Sequence, residues 1–277
     1  MPLPRPLRAV VTGAGSGLGR AFCARLVARG ARVLAADIDL VAARKTAADL
    51  GGHDKAVGEA IHATRADVGR LEDVERLASE VVERFGGVEL IVNNAGVAVS
   101  GPVGVVPMAD WRWIVDVNLW GVVHGCHVFV PLLRRGGAGH VINVASAAGL
   151  LCPPTLAPYN VTKAAVVALS ETLGAELRGS GVGCTVLCPT FFPTNIGKNA
   201  RATDPRAGVV VEKLMARSRL SADDVAEFAL EAAGKGELYA LPHADGRWAW
   251  RLKRAVPSSF SGLSTRLMTM VNRRTRR

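Results

Sequence analysis

The 277-residue chain has few aromatic residues and few cysteines, and neither group is arranged as a metal or disulfide site would require. Aromatic residues make up 5% of the chain, and its two tyrosines are Tyr159 and Tyr239. The five cysteines lack metal-ligand spacing and are expected to be small core residues in a reducing compartment: Cys23, Cys126, Cys152, Cys184 and Cys188. The histidines form no ligand cluster either, so no metal site is predicted: His53, His62, His124, His127, His140 and His243.

The chain also lacks a low-complexity linker, an internal repeat and any apolar run close to the length of a membrane span. Its first residues, 1–6, lack the apolar stretch of a signal peptide, which favours the cytoplasm. Strand and helix patterns alternate, as in a single α/β domain with a doubly wound parallel sheet and helices on both faces. The buried strands of such a sheet form continuous apolar runs, found at Val88–Val92, His140–Ala145 and Val182–Leu187. Long helices are predicted over Asp110–Leu133 and Pro158–Arg178, within one catalytic domain at residues 1–245.

A glycine-rich turn, Thr12–Gly19, follows the first apolar run. Its glycines let the backbone approach a pyrophosphate, and the helix that follows offers free N–H groups at its N-terminus. The next apolar run ends in Asp37, twenty residues after the third glycine, where a carboxylate accepts hydrogen bonds from an adenosine ribose and repels a 2′-phosphate. The pattern predicts a Rossmann-type dinucleotide site that prefers NAD to NADP. Arg32 and Arg44 lie near enough in sequence to weaken that preference.

A second motif places a phenol and an ammonium on one helix face. Tyr159 and Lys163 are four residues apart in a helical pattern, so their side chains point to the same side. A fixed cation favours tyrosinate and is expected to lower the pKa of Tyr159 below its reference of about 10. Ser146, thirteen residues earlier, can bring a hydroxyl to the same substrate carbon. Alone, the Tyr-x-x-x-Lys pattern also fits a solvated helix face.

Taken in order along the chain, these motifs resemble those of the short-chain dehydrogenase/reductase family. The spacing Thr-Gly-x-x-x-Gly-x-Gly, the sequence Asn93–Gly96 and the Asp67-Val68 pair all match, and the likeness extends from Arg8 to Leu241. It implies an NAD(P)-dependent alcohol dehydrogenase or carbonyl reductase that assembles as a homodimer or homotetramer. The implied catalytic residues are Asn118, Ser146, Tyr159 and Lys163. The implied cofactor-binding residues are Gly13, Ser16, Gly17, Leu18, Gly19, Asp37, Asp67, Val68, Asn94, Ala95, Gly96, Tyr159, Lys163, Pro189, Phe192 and Thr194.

The resemblance also implies tasks for single residues. Lys163 would hold the nicotinamide ribose as well as activate Tyr159. Asn118 would kink its helix around a water that extends a proton path from Lys163, and Thr194 would hydrogen-bond the nicotinamide carboxamide. Thr190 departs from the family, which usually has glycine after the preceding proline. The backbone at Thr190 must therefore avoid a positive φ, which threonine tolerates poorly.

Residues expected around the substrate are nearly all apolar, which favours a hydrophobic alcohol or ketone such as a retinoid, steroid, terpene or lipid. The pocket is assigned to Ala148, Leu151 and Phe191, with Ala147, Leu150, Cys152, Pro154 and Phe192 close by. Core packing would explain most of these side chains equally well. A mobile lid is expected at residues 195–220.

Two other functions remain open. One is a 3-oxoacyl thioester reductase, because a positive protein attracts an acidic carrier. Asp37 argues against it, since such reductases mostly use NADPH. The other is a cofactor-sensing or scaffold protein that has lost the reaction, and the intact Asn118, Ser146, Tyr159 and Lys163 argue against that.

A basic amphipathic extension is predicted at residues 246–277. It contains nine Lys/Arg and no Asp or Glu, so of the net charge of +10 only 10 − 9 = +1 belongs to the rest of the chain. Its apolar residues recur at helical spacing and include Phe260, Leu263, Leu267, Met270 and Val271, and a cluster of Trp248, Trp250 and Leu252 precedes them. Three roles stay open: contact with an anionic membrane, packing over the substrate cleft or a neighbouring subunit, and nucleic-acid binding. No nucleic-acid partner is expected, because no such module is recognisable.

Overall fold

The computed structural model describes residues 3–4, 6–51, 60–197, 200–204, 206–260 and 262. The strands, in chain order, are β1 (Arg8–Thr12), β2 (Arg32–Asp37), β3 (Ile61–Arg65), β4 (Leu90–Asn93), β5 (Val99–Ser100), β6 (Gly139–Val144), β7 (Val182–Leu187), β8 (Arg201–Ala202) and β9 (Tyr239–Ala240). The main sheet has seven parallel strands in the order β3-β2-β1-β4-β6-β7-β9, and β5 pairs with β8 separately. His53 and the apolar positions Leu263, Leu267, Met270 and Val271 lie outside the described residues.

The helices complete the doubly wound arrangement. They are α1 (Gly17–Ala28), α2 (Leu40–Gly51), α3 (Leu71–Phe85), α4 (Met108–Val115), α5 (Gly121–Arg135), α6 (Ala147–Leu151), α7 (Ala157–Glu176), α8 (Arg206–Ala216), α9 (Ala222–Lys235) and α10 (Ala244–Ala255). A π-helical turn, Asp116–Trp120, joins α4 to α5, and a short 3₁₀ turn covers Asn195–Gly197. Helix α9 begins with a capping box between Ser221 and Asp224, which supplies partners for N–H groups at the helix start.

Alternation along the strands explains why both faces of the sheet are covered. In β1, Val10 packs into one core together with α3, α5 and α7, while Ala9 and Val11 pack into a second core with α1 and α9. Successive strand residues point to opposite faces, so each central strand is apolar throughout. The predicted fold class, with helices on both faces of one parallel sheet, is confirmed.

The helical segment Met108–Arg135 corrects the expectation that no apolar run approaches the length of a membrane span. By length and composition alone it is apolar enough to cross a membrane. Its side chains Ile114, Phe129 and Leu133 are nevertheless fully buried, and Phe129 and Leu133 belong to the core beneath the sheet. Such packing is that of a core helix, and a core helix also meets the criteria of length and composition for a membrane span.

Strand order also locates the site. The chain crosses from the β1-β2-β3 half to the β4-β6-β7 half between β1 and β4. In open parallel sheets a crevice forms at such a reversal, outside the carboxyl ends of the strands. Thr12, Asp37, Asn93 and Val144 end their strands at this edge, so the motifs beyond them meet there.

Candidate active site

The glycine turn after β1 has the geometry of a close-approach loop. Gly13 and Gly17 have φ of +66° and +50°, a region that side chains rarely adopt. A Cβ on Gly19 would lie 2.0 Å from the Gly13 carbonyl oxygen, so only glycine lets α1 start this close to β1. The loop therefore exposes backbone, with Ser16 at the N-cap and Leu18 buried in the first turn of α1.

Thr12 and Asn94 fasten this turn to the neighbouring strand. The Thr12 hydroxyl accepts hydrogen bonds from the backbone N–H of Asn94 at 3.0 Å and of Ala95 at 3.1 Å. In return the Asn94 side chain donates to the carbonyl oxygens of Thr12, at 2.7 Å, and Gly13, at 3.3 Å. These reciprocal bonds make the Asn-Asn-Ala-Gly motif a brace for the glycine turn.

The structure brings Asp37 to the same turn. Its carboxylate accepts from the N–H of Gly15 at 2.8 Å and of Asp39 at 2.9 Å. A Cβ on Gly15 would lie 2.9 Å from the Asp37 carboxylate oxygen Oδ2. The half-buried acid therefore lies beside the glycine turn.

Asp67 and Val68 follow β3 along the same edge. The Asp67 carboxylate accepts from the N–H of Gly69 at 3.0 Å, and the Val68 carbonyl oxygen lies 2.9 Å from Nδ1 of His124. Val68 is buried and packs against Gly121. A Cβ on Gly121 would lie 2.7 Å from the Cγ2 methyl group of Val68. Both residues are thus held rigidly at the rim of the crevice.

Three of the four implied catalytic side chains converge at the ends of β6 and α7. Ser146 caps α6, its hydroxyl accepting from the N–H of Ala148 at 3.1 Å, and this hydroxyl lies near the phenol of Tyr159. The ammonium of Lys163 lies 5.8 Å from the centre of the Tyr159 ring. Helix α7 approaches this closely because Gly149 faces it: a Cβ there would lie 2.5 Å from the Lys163 backbone.

The expected lowering of the Tyr159 pKa is wrong for this arrangement. Enclosure by protein raises the pKa of the phenol above its usual value, and the nearby Ser146 hydroxyl opposes the rise only in part. The Lys163 ammonium donates to the Val144 carbonyl oxygen at 2.7 Å. Burial also lowers the pKa of Lys163 to about 8, against an opposing effect of Cys188. Spacing along the helix predicts that the two groups share one face, but it does not predict the loss of solvent around both.

Asn118 lies in the π-helical turn and is fully buried. Its side chain accepts from the N–H of Val97 at 2.8 Å and donates to the carbonyl oxygen of Val97 at 2.9 Å. The loop after β4 is thereby tied to the irregular helix. Gly96 lies between Asn118 and Lys163, since a Cβ on it would be 3.3 Å and 3.5 Å from their polar atoms.

Comparisons with known proteins identify the family to which this chain belongs. Residues 8–205 match the family model described as short chain dehydrogenase. The chain belongs to the short-chain dehydrogenase/reductase family. It is 37% identical over 244 residues to a 1-deoxy-11-beta-hydroxypentalenate dehydrogenase of Streptomyces exfoliatus, covering 86% of this chain and 84% of that protein.

Two further relatives agree. A 2-(R)-hydroxypropyl-CoM dehydrogenase of Xanthobacter autotrophicus is 34% identical over 189 residues, which is 67% of this chain and 74% of that protein. The crystal structure of a short-chain dehydrogenase/reductase from Burkholderia phymatum in complex with NAD has a TM-score of 0.84 and 37% identity, covering 90% of this chain and 93% of that one. The chain is therefore an oxidoreductase of a family that binds nicotinamide cofactors and small-molecule substrates and is typically oligomeric.

The loop after β7 shows how this short-chain dehydrogenase/reductase accommodates Thr190. Among the described non-glycine residues, positive φ occurs at Cys152 and Thr155, so Thr190 avoids it as predicted. Its N–H donates to Nδ1 of His243 at 3.3 Å, and its methyl lies 2.7 Å from where a Cβ on Gly246 would be. His243 and Gly246 were missed from the sequence, because no periodicity or motif connects them with residue 190.

The rest of this loop borders the glycine turn. A Cβ on Gly17 would lie 3.6 Å from the Thr194 side chain, so this loop packs against the glycine turn. The Pro189 carbonyl oxygen accepts from the N–H of Ala147 at 2.9 Å. Phe192 is buried, with its ring 6.1 Å from that of His243.

The assigned substrate residues differ in exposure. Phe191 is 40% exposed, Ala148 is half-buried, and Leu151 is half-buried against the core. Leu150 and Ala147 are buried, so packing accounts for them. Cys152, expected in the core, is instead exposed and in the left-handed region at φ +50°. The other four cysteines are buried, and all five are free.

A latch between Arg201 and α4, within the segment 195–220 that is expected to be a lid, was also missed from the sequence. Arg201, on β8, forms an ion pair with Asp110 at 2.8 Å and lies 3.8 Å above the ring of Trp113, both on α4. Pairing of β8 with β5 holds this part of the segment 195–220 against the loop after β4. Partners 91 residues apart in sequence give no local signal.

Proposed function

We propose that this chain is an NAD(H)-dependent dehydrogenase that interconverts an alcohol and its carbonyl compound on a lipophilic small molecule. The observation that carries the proposal is the convergence of Ser146, Tyr159 and Lys163 at the carboxyl edge of the sheet. The Lys163 ammonium lies 5.8 Å from the centre of the Tyr159 ring, and the Ser146 hydroxyl is near enough to the phenol to lower its pKa. The hydroxyl and the phenol can bind one substrate oxygen together. Asn118 is proposed to hold the surrounding loop in place through Val97.

The residues at the crevice fit a dinucleotide. The first turn of α1 presents backbone N–H groups, and Gly13, Gly17 and Gly19 leave no side chain in the way. Asp37 would accept from the adenosine ribose, Asp67 and Val68 would border the adenine, and Asn94, Ala95 and Gly96 would line the floor. Pro189, Phe192 and Thr194 would bound the nicotinamide end. NAD, when bound, supplies the hydride acceptor or donor for the reaction.

The preference for NAD over NADP is proposed from Asp37. Its carboxylate is held beside the glycine turn by Gly15 and Asp39, so a 2′-phosphate there would meet a fixed negative charge. Arg32 does not offset this, because its guanidinium bonds the Arg84 carbonyl oxygen and lies 4.3 Å above the Phe85 ring.

Tyr159 is proposed to move the proton. Its raised pKa keeps the phenol protonated at neutral pH, so that it is ready to donate to a carbonyl oxygen. In alcohol oxidation the phenolate is the base, and its population grows about tenfold per pH unit until the pKa is reached. We therefore expect oxidation to accelerate with pH above neutrality, whereas reduction does not. Positioned acid–base catalysis of this kind contributes about 10²–10⁴-fold.

A lipophilic substrate is supported by the apolar rim of Ala148, Leu151 and the exposed Phe191 ring. A homodimer or homotetramer is supported by apolar side chains left exposed on the long helices, with Trp120 49% and Val161 53% exposed. Five free cysteines support a reducing compartment such as the cytoplasm. Residues 1–245 are proposed as the catalytic domain, with 195–220 as its lid.

The test is a screen of hydrophobic alcohols and ketones, and of 3-oxoacyl thioesters, with NAD and NADP in parallel. The control is Tyr159→Phe, which removes the hydroxyl and keeps the ring. We expect it to lose at least about 10²-fold in turnover while binding NADH within a few-fold of wild type. Near-normal turnover in this variant would overturn the assignment of the proton, and faster thioester turnover would favour the 3-oxoacyl reductase. Cofactor binding without turnover of any substrate would favour a sensor or scaffold.

A further inference from the structure

The inner face of helix α10 packs against the rest of the domain. Trp250 packs on Tyr239 with ring centres 4.9 Å apart. Lys253 donates to the Leu150 carbonyl oxygen at 2.7 Å, and Arg247 donates to the carbonyl oxygens of Leu241 and Pro242 at 2.6 Å and 2.9 Å. These contacts fix the helix at the rim of the substrate site.

The outer face of α10 is apolar and exposed. Trp248 is 70% exposed, and Leu252 and Val256, each four residues further on, are both 43% exposed. This spacing aligns the three side chains in one stripe along the helix. The exposed Arg251 lies three residues after Trp248 and so shares its face of the helix. The exposed Arg254 lies nearer the inner face, with its guanidinium 5.2 Å above the Trp250 ring.

Charge indicates what covers this stripe. Residues 246–277 contain nine Lys/Arg and no Asp or Glu. A second copy in a two-fold contact would place the same basic stripe opposite itself, so like charges would face each other with no acid in the segment to pair them. An anionic lipid surface instead suits both the apolar stripe and the basic residues. Tryptophan is favoured at the headgroup level, and arginines attract acidic headgroups.

We propose that the outer face of α10 docks on an anionic phospholipid membrane, with Trp248 and Leu252 inserted at headgroup depth and Arg251 contacting acidic headgroups. This docking is independent of the reaction proposed above. It would bring α6, which carries the assigned substrate residues Ala148 and Leu151, to about one helix diameter from the lipid surface, because Lys253 joins α6 to the inner face of α10.

The test uses the full chain and two kinds of vesicle, pure phosphatidylcholine and phosphatidylcholine mixed with phosphatidylglycerol. Binding is measured by co-sedimentation at about 0.1 M and about 1 M salt, where the screening length falls from about 10 Å to about 3 Å. The variants are Trp248→Ser with Arg251→Glu, and Arg251→Gln alone. The matched control is Val41→Ser with Arg44→Glu, a similarly exposed apolar and basic pair on α2.

We expect wild type and the α2 control to bind the mixed vesicles alike, and high salt or pure phosphatidylcholine to abolish most of that binding. Arg251→Gln should bind roughly fivefold more weakly, as about one cation near an anionic surface contributes. The double α10 variant should bind far less, while its NADH affinity and melting temperature stay those of wild type. A blue shift of tryptophan emission on vesicles should be present in wild type and absent in Trp248→Phe. Equal sedimentation of wild type and double variant would overturn the proposal, as would loss of a dimer in that variant without any vesicle binding.

Discussion

Replacing Lys163 with methionine is expected to stabilise the fold at neutral pH while it removes activity. Lys163 is 2% exposed, and its ammonium donates to a neutral acceptor, the Val144 carbonyl oxygen. Burial lowers its pKa from 10.5 to about 8. Each unit corresponds to about 1.36 kcal/mol, so keeping this cation buried at neutral pH costs roughly 3 kcal/mol of stability. Methionine has a similar length and carries no charge.

The pH dependence gives the effect its signature. Below pH about 8, Lys163 is protonated in both the folded and the unfolded chain, so the full cost is present. Between about 8 and 10.5 the folded state releases its proton before the unfolded state does, so the stability of wild type rises with pH relative to the variant. The advantage of methionine should therefore shrink toward zero near pH 10.5. Burial raises the pKa of thiols such as Cys184 to about 12, which makes stability fall with pH in both proteins, so the two proteins are compared at each pH.

The assay is urea unfolding followed by circular dichroism from pH 7 to pH 9. At pH 7 a gain of roughly 3 kcal/mol should move the midpoint upward by about 1 M or more. Lys163→Arg keeps a charge and should gain nothing, and Lys235→Met, at an exposed lysine on α9, should change stability by less than about 0.5 kcal/mol. An unchanged midpoint in Lys163→Met, or a gain that does not vary with pH, would refute the conclusion that a buried cation costs stability here.

Two further predictions concern cofactor choice and the lid. Asp37→Ser combined with Ile38→Arg should shift the ratio of NADP to NAD turnover upward, because a repulsive carboxylate is lost and a phosphate partner is gained; a wild type already faster with NADP at equal concentration would contradict this. Arg201→Ala should raise KM about fivefold with little change in kcat, since a half-exposed ion pair and one ring contact with α4 contribute about 1 kcal/mol together. Arg112→Ala, at an exposed arginine on α4, is its control, and equal KM in both variants would mean that the latch does not hold the lid.

Local patterns predicted the parts of the site that local backbone geometry creates. The glycines of Thr12–Gly19 are required by positive φ and close approach, and those requirements are visible in the sequence itself. The pKa of Tyr159 was predicted with the wrong sign, because spacing shows which groups share a face but not how much water the packed protein removes around them. Arg201 was missed for a related reason, since its partners on α4 are brought near only by the complete fold.

The departure from the family pattern at Thr190 is accommodated by residues far away in sequence. A side chain at a position where the family has glycine needs room, which the absence of a Cβ on Gly246 provides at the start of α10. Nδ1 of His243, just before α10, also accepts a hydrogen bond from the backbone N–H of Thr190. The same helix holds the substrate rim through Lys253 and turns Trp248 to the outside. Because packed interiors transmit small displacements, α10 cannot shift on a surface without moving residue 190 or Leu150. Whatever the outer face of α10 binds is therefore in mechanical contact with the loop at Thr190 and with α6.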